Sequence, residues 1–259
     1  MKKIVTFTTD WQDSDYYAGA VKAAVILQAG EANFVDVSHN IEHYNVFQAA
    51  FILKRVIKNF PSGTIHIIGV DSEPDADGKI LVSKYLSQYF ISRKNFCQGI
   101  IFDSKPELAV EINVGYGLEG YTFPELSIFS ILTAFILKGG DIKEFGEQID
   151  DVPRSGELKP EIGKDFMNGY VIFNDSYGNA ITNISYEDFA NYVGDKKFEI
   201  SFSSIKHKIN VISTSYRNEE RGSALCLFNS MGLLEIAVRE GKASLLLGLK
   251  KKSEVRIKF

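Results

Sequence analysis

Side chains able to do polar chemistry gather in two short stretches of this chain. One is Thr8-Thr9-Asp10, followed by Asp15, Tyr17 and Gly19; the other is Asp175-Ser176-Tyr177-Gly178-Asn179, with Thr182-Asn183 close behind. Carboxylates accept hydrogen bonds and carry charge, while amides both donate and accept, so either set can hold a small polar molecule. Neither set lies on a periodic apolar face where packing would account for it. Each follows an apolar run, Lys3–Phe7 and Tyr170–Phe173, and so reads as a loop at a strand end, where α/β folds place ligand-binding groups. Two such loops in opposite halves suggest one polar site built from both.

Asp71 belongs to the same class of position. It ends the apolar run Thr64–Val70, which places it at the carboxyl end of a central strand. It is read either as a turn residue ahead of Pro74 or as a carboxylate beside a cleft, serving as base or charge stabiliser. Asn229-Ser230, with Gly232, reads as a hairpin turn or as a loop that turns a hydroxyl toward a ligand.

Other motifs fall away on inspection. Gly115-Tyr116-Gly117-Leu118-Glu119-Gly120 matches the spacing of a dinucleotide fingerprint. That fingerprint needs a helix opening within the glycine loop, and here Pro124 intervenes, so a plain loop is the better reading. His39 and His43 are spaced for one helical face, but no carboxylate-rich partner motif accompanies them. A nucleophile elbow and a P-loop are both missing from the sequence.

Elements able to position these groups follow from the apolar pattern. Strand signals at Lys3–Phe7, Asn33–Val37, Thr64–Val70, Leu81–Ser83, Gln88–Ser92 and Leu108–Asn113 alternate with helical ones at Asp15–Gln28, Val46–Asn59 and Glu125–Lys138. The alternation predicts an α/β domain with a mainly parallel sheet over residues 1–150. A polar stretch, 151–164, reads as a linker. Beyond it, short strands at Tyr170–Phe173, Lys197–Ser203, Lys208–Ser213, Ala224–Phe228 and Glu254–Lys258 predict a small all-β, barrel-like domain over 165–259.

Composition narrows the partners. The 29 basic residues are matched by 33 acidic ones, so no basic footprint points to nucleic acid. Leu126–Leu137 is too short to span a bilayer, and the N-terminus lacks the apolar core of a signal peptide. Cys97 and Cys226 lie in apolar runs and read as buried thiols. A soluble, cytoplasmic protein without metal or cofactor is expected.

Taken in order, these segments resemble the S-adenosylmethionine (SAM) hydrolases, or SAM hydroxide adenosyltransferases, relatives of the SAM-dependent chlorinases and fluorinase. The resemblance rests on Thr8-Thr9-Asp10, Asp15, Tyr17, Gly19 and Lys22; on Asp36-Val37-Ser38-His39; on Phe60-Pro61-Ser62-Gly63-Thr64; and on Val70-Asp71. In the second half it rests on the Asp175–Asn179 stretch, Thr182-Asn183, Asn229-Ser230, Gly241, Ala243 and Leu247-Gly248-Leu249. It implies a trimer that binds SAM between the N-domain of one subunit and the C-domain of its neighbour. By similarity Asp10 would hold the ribose hydroxyls. Asp15 and Asp175 would face the methionine ammonium, Ser230 the methionine carboxylate and Asn179 the adenine. Tyr44 matches a position where the halogenases carry an aromatic near the ligand. The family's reaction displaces methionine from the ribose C5′ by hydroxide or halide, with SAM as substrate rather than cofactor.

The chain departs from the family where the nucleophile is handled. The hydrolases use an Asp, an Arg and a His; Asp71 matches the first. The loop that normally carries the Arg reads Ser72-Glu73-Pro74-Asp75-Ala76-Asp77-Gly78, with Lys79 the nearest cation. The segment that normally carries the His reads Thr122-Phe123-Pro124-Glu125. Glu125 stands where the halogenases hold halide, and a carboxylate there would repel it. Hydrolysis to adenosine and methionine stays open if Asp71 or Glu125 positions water. Because a general base contributes roughly 10²–10⁴-fold, lost helpers would leave a slower enzyme. The competing reading is an inactive SAM or adenosine sensor, or a trimeric scaffold.

Overall fold

The computed structural model describes residues 4–73, 78–114, 122–154, 159–202 and 208–259. The chain divides into two compact units, Met1–Gly156 and Glu157–Phe259. The glycine-rich stretch 115–120, His207 and most of the loop after Glu73 lie outside the described residues.

The first unit runs β1 (Ile4–Thr9), α1 (Tyr17–Ala29), β2 (Asn33–Ser38), α2 (Val46–Val56), β3 (Ile65–Gly69), β4 (Lys79–Tyr85), β5 (Gln88–Arg93), α3 (Cys97–Ile101), β6 (Leu108–Asn113), α4 (Ser130–Leu137) and β7 (Glu147–Ile149). Its sheet has the order β2-β1-β3-β5-β4-β6-β7. The pairs β1–β2, β1–β3 and β3–β5 are parallel, and β5–β4, β4–β6 and β6–β7 antiparallel. Five strands, β1, β2, β3, β5 and β6, therefore point one way. The antiparallel turn-back comes from the tight β4–β5 hairpin, where Leu86 and Ser87 adopt φ of 51° and 56°, the left-handed pair that such a hairpin requires.

Helices cover both faces. Leu53, Ala49 and Ala50 of α2 pack with Cys97 and Ile101 of α3 over Ile68, Leu81 and Phe90. Val21 of α1 and Leu132 and Ile136 of α4 pack over Val5, Phe7, Ile65 and Ile67. Strands apolar on both sides are what a sheet buried between helix layers demands. Asn45 caps α2, its side chain accepting the Gln48 amide at 3.1 Å. The predicted helix Glu125–Lys138 opens with a π turn over Glu125–Phe129 before becoming regular α4. His66 is a core residue between Thr6 and Gln88, its ring nitrogens 2.7 Å from each, and burial lowers its pKa to about 4.

The second unit contains β8 (Glu161–Ile162), β9 (Phe166–Asn174), β10 (Ala180–Ser185), α5 (Tyr186–Tyr192), β11 (Glu199–Phe202), β12 (Ala224–Phe228), β13 (Leu233–Val238), α6 (Ala243–Leu246) and β14 (Glu254–Lys258). The order is β11-β14-β9-β10-β13-β12, with β8 on β9, and every pairing is antiparallel. Lys208–Ser213, expected as a strand, makes only single bridges, Ile209 to Ile200 and Ile212 to Cys226. Its buried-side residues are three apart and Val211 is exposed, so the two-residue strand period is broken. Those two bridges nevertheless join the edge strands β11 and β12, which makes the sheet barrel-like. Met167, Val171, Ile184, Ile200, Cys226, Ile236 and Ile257 fill its interior.

Candidate functional site

The carboxyl ends of β1 and β3 lie side by side, and the first unit's polar groups gather there. The Asp10 amide donates to the Gly69 carbonyl at 3.3 Å, which fixes Asp10 against the strand that leads into Asp71. The Asp10 carboxylate accepts the Tyr44 backbone N–H at 2.9 Å. Tyr44 sits at φ 62° with its ring exposed, a backbone the loop imposes in order to deliver that N–H. Asp15 is exposed in the loop after Asp10, ahead of α1.

Thr9, from the first polar stretch, and His39, Asp36 and Lys22, from the family likeness, brace this loop. Thr9 Oγ1 lies 2.6 Å from His39 Nδ1. His39 stacks on Trp11 at 5.9 Å, and its Nε2 is 3.2 Å from Asp36, which Lys22 pairs at 2.6 Å. The chain Thr9–His39–Asp36–Lys22 ties the ends of β1 and β2 to α1. His39 is committed to this network, and the described residues contain no cluster of three potential metal ligands.

Asp71 has φ 48°, the left-handed region that a non-glycine residue enters only when its surroundings hold it there. What holds it is Arg93, at the end of β5, whose Nη1 lies 2.9 Å from Asp71 Oδ2. Lys79, the nearest cation along the chain, pairs with Glu111 instead. Motif reading meets Arg93 only as a departure from the family pattern and does not pair it with Asp71, because it lies on a different strand. Only the parallel β3–β5 pairing, with Ile67 opposite Ile91, brings the two strand ends together.

Glu125 is wholly buried. Ser72, the residue after Asp71, donates its hydroxyl to Glu125 Oε1, and Oε2 has no hydrogen-bond partner among the described residues. Burial pushes the carboxyl up to about 7, with the Asp10 charge acting in the same direction and the Ser72 hydrogen bond against it. The space for this group is made by Gly69. A Cβ there would lie 2.7 Å from Glu125 Oε1, 2.8 Å from Trp11 Cζ2 and 3.1 Å from Thr9 Cγ2. Gly69→Ala is accordingly expected to cost about 1–3 kcal/mol by overpacking and to displace Glu125. Urea denaturation reads the first effect and turnover the second; a native midpoint with native turnover would show that the strand end yields freely.

In the second unit, Asp175 and Asn179 close the β9–β10 turn. Asp175 Oδ1 accepts the Asn179 amide at 2.8 Å, and Oδ2 accepts Asn179 Nδ2 at 3.1 Å. Gly178, at φ 81°, supplies the conformation the turn needs. Asp175 thus fixes the orientation of Asn179, which is buried. Thr182 and Asn183 serve the sheet: Thr182 Oγ1 donates to the Leu234 carbonyl at 2.9 Å, and Asn183 Oδ1 accepts the Tyr170 amide at 2.8 Å, satisfying groups where the β10–β13 and β9–β10 registers shift.

Ser230 is exposed in the β12–β13 turn, which is organised by Asn229 accepting the Met231 and Leu233 amides. The strand register separates it from the Asp175 turn. Leu233 pairs with Ser185, whereas Ile236 pairs with Ala180, so the two turns lie at opposite ends of that ladder. A polar row joins Asn229 of that turn to Glu235 and Tyr216. Tyr216 donates to Glu235 Oε1 at 2.7 Å, and Asn229 donates to Glu235 Oε2 at 3.1 Å. Burial, then the Glu235 contact and the Asp175 charge, raise the Tyr216 pKa.

The architecture is therefore an α/β unit with a carboxylate cluster at its parallel strand ends, followed by an antiparallel β unit with polar turns. Residues 5–146 match the SAM hydroxide adenosyltransferase N-terminal domain and residues 169–256 the C-terminal domain of the same family, and the chain belongs to it. An (R)-S-adenosyl-L-methionine hydrolase of Methanocaldococcus jannaschii is 28% identical, over 98% of this chain and 95% of its own length. Among solved structures, an uncharacterized conserved protein from Thermotoga maritima has a TM-score of 0.86 at 25% identity, covering 98% of this chain and 100% of that one. A conserved hypothetical protein from Thermus thermophilus, at 21% identity and a TM-score of 0.76 over 99% and 100% of the two chains, shares the fold. Among the described residues no helix is long and apolar enough to cross a membrane.

Proposed function

We propose that this protein hydrolyses SAM to adenosine and L-methionine, water attacking the ribose C5′. The observation that carries this over an inactive sensor is the Asp71–Arg93 ion pair of 2.9 Å, one strand from Asp10. The family pattern asks for a cation beside that Asp, and the local sequence lacks it; the fold supplies one from β5. Asp10 holds the ribose hydroxyls, and Asp71, fixed by Arg93, orients water toward C5′. Asp15, Tyr44, Asp175, Asn179 and Ser230 bind the remainder of the ligand, and the active protein is a homotrimer. The sulfonium departs as a neutral thioether, so no acid is needed for the leaving group; the work lies in placing and deprotonating water.

The test is incubation with purified SAM, as both sulfonium epimers because the archaeal relative is named for the (R) form, with products followed by chromatography. Adenosine and methionine released in equal amounts are expected. A thermal upshift with SAM and no product would make this a binding protein. Asp71→Asn is expected to slow release by about 10²-fold or more, the scale of a misplaced reactant, with SAM affinity retained. Full turnover in that variant would remove Asp71 from the mechanism. Light scattering at the elution peak reads the trimer.

A further inference from the structure

Water attacking a sulfonium-activated carbon must shed a proton, and Asp71 is already engaged by Arg93. A second carboxylate stands behind it. Glu125 is fully buried at the first turn leading into α4, on the far side of Ser72 from solvent, and Ser72 itself is half-buried beside Asp71. The Ser72 hydroxyl donates to Glu125 Oε1, while Oε2 has no hydrogen-bond partner among the described residues. Glu125 Oε1 lies against Gly69, where an added Cβ would also meet the uncharged Trp11 and Thr9 side chains. Asp10 is the charged group that acts on it, and no cation does among the described residues.

We propose that Ser72 and Glu125 form a proton relay for the hydrolysis, with the Ser72 hydroxyl at the water and the Glu125 carboxylate as the terminal proton acceptor. This rests on the reading of the protein as a SAM hydrolase. As the water oxygen bonds to C5′, the C5′–S bond breaks and its electron pair stays on the methionine sulfur. One water proton passes to Ser72 Oγ while the Ser72 proton passes to Glu125 Oε1; the other water proton remains on the new 5′-hydroxyl. Adenosine and methionine leave, and Glu125 returns its proton to solvent through Ser72. The buried environment suits the role. A carboxyl pushed up to about 7 is a stronger base than an ordinary one and is still substantially ionised at neutral pH. The His that the family pattern carries in this segment is thus replaced by a buried acid reached through a hydroxyl.

Three proteins decide the matter: native, Glu125→Gln and Ser72→Ala. Glu125→Gln keeps an oxygen to accept the Ser72 bond. It is expected to lower kcat roughly 10²–10⁴-fold, the usual contribution of a general base, with SAM affinity by calorimetry within about threefold of native. Native kcat/KM is expected to rise with pH through a midpoint near 7, and the residual rate of Glu125→Gln to lack that step. Ser72→Ala should lower kcat and move the midpoint upward, because the lost hydrogen bond favours the ionised carboxyl. Native turnover in Glu125→Gln, or a pH step that persists in it, overturns the relay while leaving the hydrolase reading intact. Failure of the native protein to release adenosine overturns the hydrolase reading, and the relay with it.

Discussion

Asp10→Ala is expected to weaken SAM binding roughly 30- to 4000-fold, the equivalent of about 2–5 kcal/mol for removing one partner of a charge-assisted pair. The carboxylate sits at the end of β1 with its amide pinned to Gly69. One oxygen is held by the Tyr44 N–H, so its orientation is set before any ligand arrives, and little ordering cost remains to be met on binding. A ribose diol presents two hydroxyl donors to one carboxylate, an arrangement alanine cannot reproduce. The stranded Tyr44 N–H belongs to an exposed residue and is satisfied by water, so the fold is expected to survive. The variant also removes the charge that helps raise the Glu125 pKa, so any residual rate should have its pH step shifted downward. Calorimetric titration with SAM measures the affinity; native affinity in Asp10→Ala would withdraw the ribose assignment.

Between pH 5 and pH 8 the native protein is expected to lose about 2–3 kcal/mol of stability through Glu125 alone, at about 1.36 kcal/mol for each pH interval of one between pH 5 and the folded pKa. The carboxyl titrates at 4.5 in the unfolded chain and is raised to about 7 in the folded one, first by burial and then by the Asp10 charge. A folded state that binds the proton more tightly is favoured at low pH. The contribution is complete below pH 4.5 and is lost as the pH rises through 7. Glu125→Gln has no proton to lose. Urea denaturation of both proteins at pH 5 and pH 8 should give similar stabilities at the acid end and a more stable variant at the alkaline end. Parallel pH slopes would mean that Glu125 is not the buried acid described. The same substitution that removes activity should thus stabilise the fold at neutral and alkaline pH, the pattern expected where function holds a charge against its environment.

Much of the architecture is legible along the chain. Apolar runs such as Ile65–Gly69, buried at every residue, announce a central strand, and Asp10, Asp71 and Asp175 each follow such a run. A residue that ends a strand is placed by the strand, so reading the run is enough to place the residue. Failures come where a side chain's task depends on a neighbour far away in sequence. Lys208–Ser213 has strand-like composition but meets the sheet at only two points. Thr182 and Asn183 sit in a polar stretch that looks ligand-binding, yet they hold strand register, and His39 and Asp36, known from the sequence only through the family likeness, hold strand ends. In all of these the residue type predicts a hydrogen bond and cannot say with what.

The sequence by itself determined the two-part organisation, the strand-end acidic positions and the family likeness, because periodicity and adjacency are properties of the chain. Only the tertiary structure decided which charges face each other. Arg93 reaches Asp71 because β3 and β5 are parallel neighbours. Glu125 becomes a weak acid because Gly69, lacking a side chain, leaves room for it out of water. Charge pairing and desolvation act through space over a few ångströms, and no distance measured along the chain contains them.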